Sequence, residues 1–340
     1  MSGAPAASER ARPTLPPLGF GAAPIGNLYA EVGEEDAQTA LQAAWQGGVR
    51  WFDTAPFYGH GLSEQRLGRA FARWPRDSFA VSTKVGRIIE VDVEALGASD
   101  GFAVAGSRAT FDYSRDGVRR SFEASLRRLD VDHIEMLFLH DIGRLTHGDR
   151  HPQVLRQALD EALPAMAELR EQGVVDAIGL GVNEVEVCME VLPRFDLDCI
   201  MLAGRYTLFE QTSALPLLDE AQHRSVSVIV AGPYNSGLLG DPRGPGSTYN
   251  YAPPDENVLR RAREIYAICA KEGVDVGAAA LQFPLAHPAV VSVVAGMRNS
   301  AEVECAIARR GAAIPPRVWE RLKSAGIIAM NAPLPAELTA

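Results

Sequence analysis

Eight short apolar runs, each followed by a longer stretch with helical spacing, constrain this chain of 340 residues more than any other feature. The runs cover 18–23, 49–54, 79–84, 134–140, 177–182, 199–203, 226–231 and 290–295 and are rich in Val, Ile and Phe. Each is apolar on both faces, which a parallel sheet covered by helices requires and a half-solvated strand does not. The stretches between them read as amphipathic helices. Val118, Phe122, Leu126 and Leu129 share one face, with Ser114 placed to cap the start. Ser63 opens a helix that buries Leu67, Ala70 and Phe71. Asp255 starts one carrying Val258, Leu259, Ala262, Ile265 and Cys269, and Asn299 with Glu302 forms a capping box after the last strand.

Eight strand–helix units without a break in composition fit a single α/β domain closed as a (β/α)8 TIM barrel over 14–330. The segments 1–13 and 331–340 are expected to be tails, the first of them disordered. The alternative is an open, doubly wound sheet, which would carry a glycine fingerprint opening a helix behind its first strand. Here Gly19-Phe20-Gly21-Ala22-Ala23 has no such helix behind it, so the barrel is preferred. The segments 86–113 and 232–254 are too long for simple strand-to-helix turns. They are expected to pass over the C-terminal mouth, where barrel active sites lie.

Composition narrows the function. A hydrophobic content of 47% supports a large core, and a formal net charge of −10 argues against a nucleic-acid partner. Arg119-Arg120 and Arg127-Arg128 are expected to form a solvated helix face. Cys188, Cys199, Cys269 and Cys305 form no C-x-x-C pair, so neither a disulfide scaffold nor a zinc ribbon is expected. The first thirteen residues hold no apolar core of signal-peptide length, and no run approaches the ~18 apolar residues of a membrane span. These features point to a cytoplasmic protein with neither a nucleic-acid nor a membrane partner.

Three strands end on unexpected groups: Asp53, Lys84 and His140, with Tyr58 just past the first. An Asp there can be a turn former, and a single His is often structural. A Lys directly behind a buried strand must have its charge paired or solvated. Together the four make a proton-transfer device. A Tyr hydroxyl has an unperturbed pKa of about 10, a neighbouring ammonium lowers it, and a carboxylate keeps that ammonium charged. His140 can hydrogen-bond the substrate oxygen. The sequence offers no metal cluster, nucleophile elbow or phosphate-loop Lys to suggest another chemistry.

The stretch Trp51-Phe52-Asp53-Thr54-Ala55-Pro56-Phe57-Tyr58-Gly59, with Ser82-Thr83-Lys84-Val85 and Leu139-His140-Asp141, resembles the aldo-keto reductases. The resemblance runs from Leu18 to about Ala308 and implies a barrel whose catalytic tetrad is Asp53, Tyr58, Lys84 and His140. The motifs 20–29, 112–114, 181–184 and 232–237 are similar to those of the branch that includes D-threo-aldose 1-dehydrogenase and pyridoxal 4-dehydrogenase. It implies oxidation of the anomeric hydroxyl of a cyclic aldose to a lactone, with a nicotinamide accepting the hydride. By the same resemblance the cofactor is held by Gly21, Ala22, Asp53, Asn183, Gly232, Pro233, Asn235, Gly237, Leu238, Gly296, Arg298 and Glu302, and the substrate by Tyr29, Phe57, Tyr58 and His140. Tyr234 is a further candidate for the substrate wall.

The chain departs from the family pattern in four places. Asn183 stands in an altered turn, Ala203 takes the place of a usual Gln, and Ala231-Gly232 replaces an aromatic. Behind the last strand, Gly296, Met297 and Glu302 occupy positions where NADP-preferring relatives carry Lys, Ser and Arg. A carboxylate repels a 2′-phosphate, so NAD is favoured, while Arg298 keeps NADP possible. Two other functions compete: an NADPH-dependent aldehyde or ketone reductase using the same residues, and a non-catalytic subunit that senses nicotinamide.

Overall fold

A strand apolar on both faces must be covered on both. The computed structural model, which describes residues 14–91, 101–250 and 252–335, shows how that is achieved. Its strands are β1 (Leu18–Gly21), β2 (Trp51–Asp53), β3 (Ala80–Val85), β4 (Arg87–Val91), β5 (Ser107–Phe111), β6 (Ile134–His140), β7 (Val175–Val182), β8 (Cys199–Ala203), β9 (Ser227–Ala231) and β10 (Val290–Gly296). All but β4 and β5 close into a parallel barrel in the order β1-β2-β3-β6-β7-β8-β9-β10. Each of the eight apolar runs is one of these strands, and closure rules out the doubly wound sheet.

The barrel interior is a core of its own. Trp51, Met136, Phe138, Ala177, Cys199, Met201, Ile229 and Val294 fill it. Trp51 fits because β1 contributes Gly19, where a Cβ would lie 2.4 Å from the indole ring. A larger core separates the strands from the surrounding helices. Helix Arg115–Leu129 buries Val118, Phe122 and Leu129 against it, and the Ser114 hydroxyl accepts from the Gly117 N–H. Asp255 caps helix Glu256–Lys271 by accepting from the Val258 N–H, 2.9 Å away.

Two local expectations need correcting. Helix Leu62–Phe71 starts behind Gly61, not at a Ser63 cap. The Ser63 hydroxyl instead donates to the Ala22 carbonyl (2.8 Å) and meets the Thr54 hydroxyl (2.8 Å), tying β1 to β2 at the mouth. The arginine face is solvated only in part. Arg128 turns inward, 2.6 Å from the fully buried Glu64, whose other oxygen accepts from Thr83. A buried carboxylate demands such a partner, and a helix period does not reveal which face meets it.

The segment behind β3 forms an antiparallel hairpin, β4 with β5, that pairs Arg87 with Phe111. Gly86 makes the bend into it with φ +105°, and a Cβ there would lie 2.5 Å from the Tyr113 ring. The segment 1–13 lies outside the described residues, whereas Ala332 is buried and its carbonyl accepts from Lys323 (2.9 Å). Among the described residues no helix is long and apolar enough to cross a membrane. The four cysteines are free, and only Cys305 is exposed.

Candidate active site

The C-terminal strand ends put Asp53, Lys84 and His140 on one rim, because β2, β3 and β6 are consecutive in the barrel. The loop behind β2 returns Tyr58 to them. Its backbone is pinned by Gly26, where a Cβ would sit 2.7 Å from the Tyr58 carbonyl carbon, and by Gly59, with φ +63° and room for a Cβ only 2.3 Å from the Gly26 oxygen. Any side chain at either glycine would push Tyr58 off its place.

Lys84 is buried and fully engaged. Its ammonium donates to both Asp53 oxygens (3.0 and 2.9 Å) and to the Thr54 carbonyl (2.8 Å), while Ser82 donates to Asp53 (2.8 Å). Burial alone would pull the Lys84 pKa down, but the Asp53 carboxylate and Tyr58 together outweigh it and hold the ammonium above its ordinary value. The same ammonium lies 4.6 Å from the centre of the Tyr58 ring. Here the expected electrostatics need a correction. Lys84 does pull the Tyr58 hydroxyl down, yet burial pushes it up more strongly, aided by Asp53 and Asp141, and the net shift is upward. The His140 ring stands edge-on to Tyr58, 6.1 Å between centres. Burial, then Arg87 and Lys84, holds its pKa well below the usual 6.5, so it is a neutral hydrogen-bonding group at physiological pH.

A second ion pair interlocks with the first. Arg87, the first residue of the hairpin, donates to Asp141 Oδ2 (2.6 Å), and that oxygen lies 3.4 Å from His140 Nε2. The Arg87 guanidinium stacks 3.7 Å from the Phe57 ring centre, and Phe57 stands edge-on to His140 at 6.2 Å. Asp141 has φ +50°, a conformation that Asp tolerates better than most residues and that functional sites often hold under strain. Tyr113 locks it by donating from one hydroxyl to the His140 (2.9 Å) and Asp141 (3.0 Å) carbonyls.

This constellation at a barrel mouth can be compared with known proteins. The aldo/keto reductase family model matches residues 17–327. The chain belongs to the aldo/keto reductase family. It is 39% identical over 330 residues to pyridoxal 4-dehydrogenase of Microbacterium luteolum, covering 93% of this chain and 95% of that one. It is 38% identical over 335 residues to D-threo-aldose 1-dehydrogenase of a Pseudomonas species, covering 96% and 99%. The solved aldo-keto reductase from Bacillus halodurans shares the fold with a TM-score of 0.69 at 24% identity, over 91% of both chains.

Aldo/keto reductases use nicotinamide cofactors, and the rim of this one offers a place for such a group. Three strand ends adjoin: the register sets Gly21 beside Gly296 and Ala231 beside Val294. Ala22 donates its N–H to the Asp53 carbonyl (2.9 Å). The turn behind β9 runs through left-handed Gly232, Asn235, Ser236 and Gly237, with Pro233 buried. A Cβ on Gly237 would meet nothing within 4 Å. Asn235 is buried, its Nδ2 donates to the Gly204 carbonyl (3.3 Å), and its Oδ1 has no partner. An orphaned buried acceptor in a turn whose Gly237 faces open space suits a ligand that brings N–H or O–H donors, as a nicotinamide dinucleotide does. Leu238 packs its side chain in the core, with its N–H and C=O both bonded inside the turn.

Other candidates lie at the margins. Asn183, behind β7, accepts at its carbonyl from Arg205 (2.7 Å), and only β8 separates its strand from β9, which leads into the glycine turn. Asn299 caps helix Ser300–Gly311, as expected, by accepting from the Glu302 N–H (2.9 Å). Glu302 does not return the bond to the cap residue. It accepts from the Arg298 N–H (3.0 Å) and pairs with the Arg298 guanidinium (2.9 Å). Tyr29, half exposed with φ +65°, hydrogen-bonds Ser236 across the rim. Tyr234 instead packs under Arg309, 5.3 Å from its ring centre. Sequence reasoning missed Arg87, Asp141 as a side chain, and Phe102, which is buried 5.1 Å from Phe57 and 5.9 Å from Tyr58 between ring centres. A buried-strand Lys followed three residues later by an Arg was the available signal for Arg87. Among the described residues, one group has metal-ligating character, His133, Glu135 and Asp176, at the opposite end of the barrel. Glu135 there is already taken by Arg76 and the Val81 N–H.

Proposed function

We propose that this enzyme is a nicotinamide-dependent dehydrogenase that oxidises the anomeric hydroxyl of a cyclic aldose to a lactone. The observation that carries the reading is the buried Asp53–Lys84 pair beside the Tyr58 ring, with a neutral His140 edge-on to the same ring. In this reading His140 hydrogen-bonds the anomeric oxygen and Tyr58 takes its proton, with Lys84 favouring the phenolate. The bound nicotinamide supplies the acceptor for the hydride that leaves C1, and C1 becomes the lactone carbonyl. Each pairing runs in reverse for carbonyl reduction. The likeness to D-threo-aldose 1-dehydrogenase over nearly the full length supports the substrate class.

NAD is the favoured cofactor, because Glu302 already neutralises Arg298, a cation at that turn suited to a 2′-phosphate. A second substrate reading, pyridoxal, is favoured by the 39% identical relative. Pyridoxal closes to a cyclic hemiacetal, so the same proton and hydride would move. The test is absorbance at the reduced-nicotinamide band, with NAD or NADP and a panel of aldoses plus pyridoxal. Rapid NAD reduction by L-fucose, D-arabinose or L-galactose is expected. Silence across the panel, with NADPH consumed by simple aldehydes, would replace this reading with that of a general reductase. Tight cofactor binding without turnover on any substrate would favour the nicotinamide-sensing subunit.

A further inference from the structure

We propose that Asp141, held by Arg87, is a specificity residue that accepts a hydrogen bond from the substrate hydroxyl next to the reacting carbon. The inference takes its substrate class from the aldose reading but rests on geometry of its own. Successive side chains of a strand point to opposite faces. His140 ends β6, and the left-handed Asp141 that follows breaks the alternation, so that Asp141 Oδ2 lies 3.4 Å from His140 Nε2. The backbone cannot relax out of this state easily, because Asp141 donates its N–H to Gly181 (3.0 Å) while Tyr113 and His147 bind its carbonyl (3.0 and 2.9 Å).

Arg87 fixes the carboxylate at that same oxygen and is itself clamped between the Phe57 and Phe111 rings, 3.7 and 4.6 Å from their centres. It reaches Oδ2 only, and no described residue donates to Oδ1. Oxygens on adjacent carbons sit about a hydrogen-bond length apart. An oxygen held by His140 Nε2 therefore brings its vicinal hydroxyl within reach of Asp141. Sugars carry a hydroxyl there and simple aldehydes do not. A carboxylate placed for that donor discriminates against substrates that leave it unpaired.

The test compares D-glyceraldehyde with propanal, which differ only in hydroxyls, as substrates for reduction by NADH or NADPH. In the oxidising direction it compares an aldose with its 2-deoxy analogue. The wild type should favour the hydroxylated partner in kcat/KM by roughly 10-fold or more, the range expected for a hydrogen bond to a charged group. Asp141→Asn should move that ratio most of the way to unity. The double variant Arg87→Met/Asp141→Leu, which leaves no orphaned charge, should do the same. Quenching of protein fluorescence by the reduced cofactor should give an unchanged Kd in both variants. A wild-type ratio near unity, or a ratio that survives either variant because both substrates slow by one factor, overturns the proposal. An equal loss would mean that Asp141 acts only through His140. Aldehyde reduction without any aldose oxidation would refute the dehydrogenase reading while leaving this ratio measurable.

Discussion

Replacing Lys84 with Met tests whether the tetrad is the desolvated ion pair that its geometry describes. An exposed salt bridge is worth about 0–1 kcal/mol, so its loss would scarcely move stability. Lys84 and Asp53 are different, with side chains only 3% and 4% exposed. Lys84→Met leaves the Asp53 carboxylate buried with the Ser82 hydroxyl as its remaining side-chain donor. An orphaned buried charge costs about 3–5 kcal/mol, a large part of the 5–15 kcal/mol typical of a whole domain. Asp53→Asn alone should be costly too, since it leaves the ammonium with only neutral acceptors. Combining the two substitutions removes both charges and should recover about 2–3 kcal/mol relative to the sum of the singles. Urea unfolding followed by circular dichroism on all four proteins measures the coupling, while turnover should be lost in every variant. A Lys84→Met protein that unfolds at the wild-type urea concentration would refute the reasoning, because the pair would then have to be solvated.

Tyr58→Phe should lower turnover by about 10²–10⁴-fold, the usual contribution of a general acid–base group, and leave the fluorescence-quenching Kd for the cofactor unchanged. A matching loss of affinity would contradict the role assigned to the hydroxyl. In the cofactor-free protein, the ultraviolet difference between wild type and Tyr58→Phe should show the phenol ionising above pH 10, since burial outweighs Lys84. Ionisation below 10 would mean that Lys84 prevails. The depressed His140 pKa keeps its imidazole neutral as pH falls through 6.5, so kcat/KM should show no inflection there, and a clear one would contradict its burial. Glu302→Ala frees Arg298 and should improve kcat/KM for NADP relative to NAD by about 5–10-fold, given the ~1 kcal/mol scale of exposed ion pairs. An unchanged ratio would place the 2′-phosphate elsewhere.

Much of this was legible in the chain itself. The eight two-sided apolar runs named all eight barrel strands, because burial on both faces leaves no polar alternation in the sequence. The gathering of Asp53, Tyr58, Lys84 and His140 at one rim was legible because they close three of those strands or follow one directly. Ser114 and Asp255 marked helix starts for an equally local reason, the orphaned N–H groups of a first turn. Ser63 carried the same signal, but its hydroxyl found better partners 41 and 9 residues away, Ala22 and Thr54. Only the closed barrel decided the rest. It set Arg87 against Asp141, 54 residues apart, and turned Arg128 inward to Glu64, 64 residues away. It also reversed the net direction of the Tyr58 pKa. A sequence shows which charges are near one another along the chain, but desolvation depends on everything packed around them, and here desolvation is the larger effect.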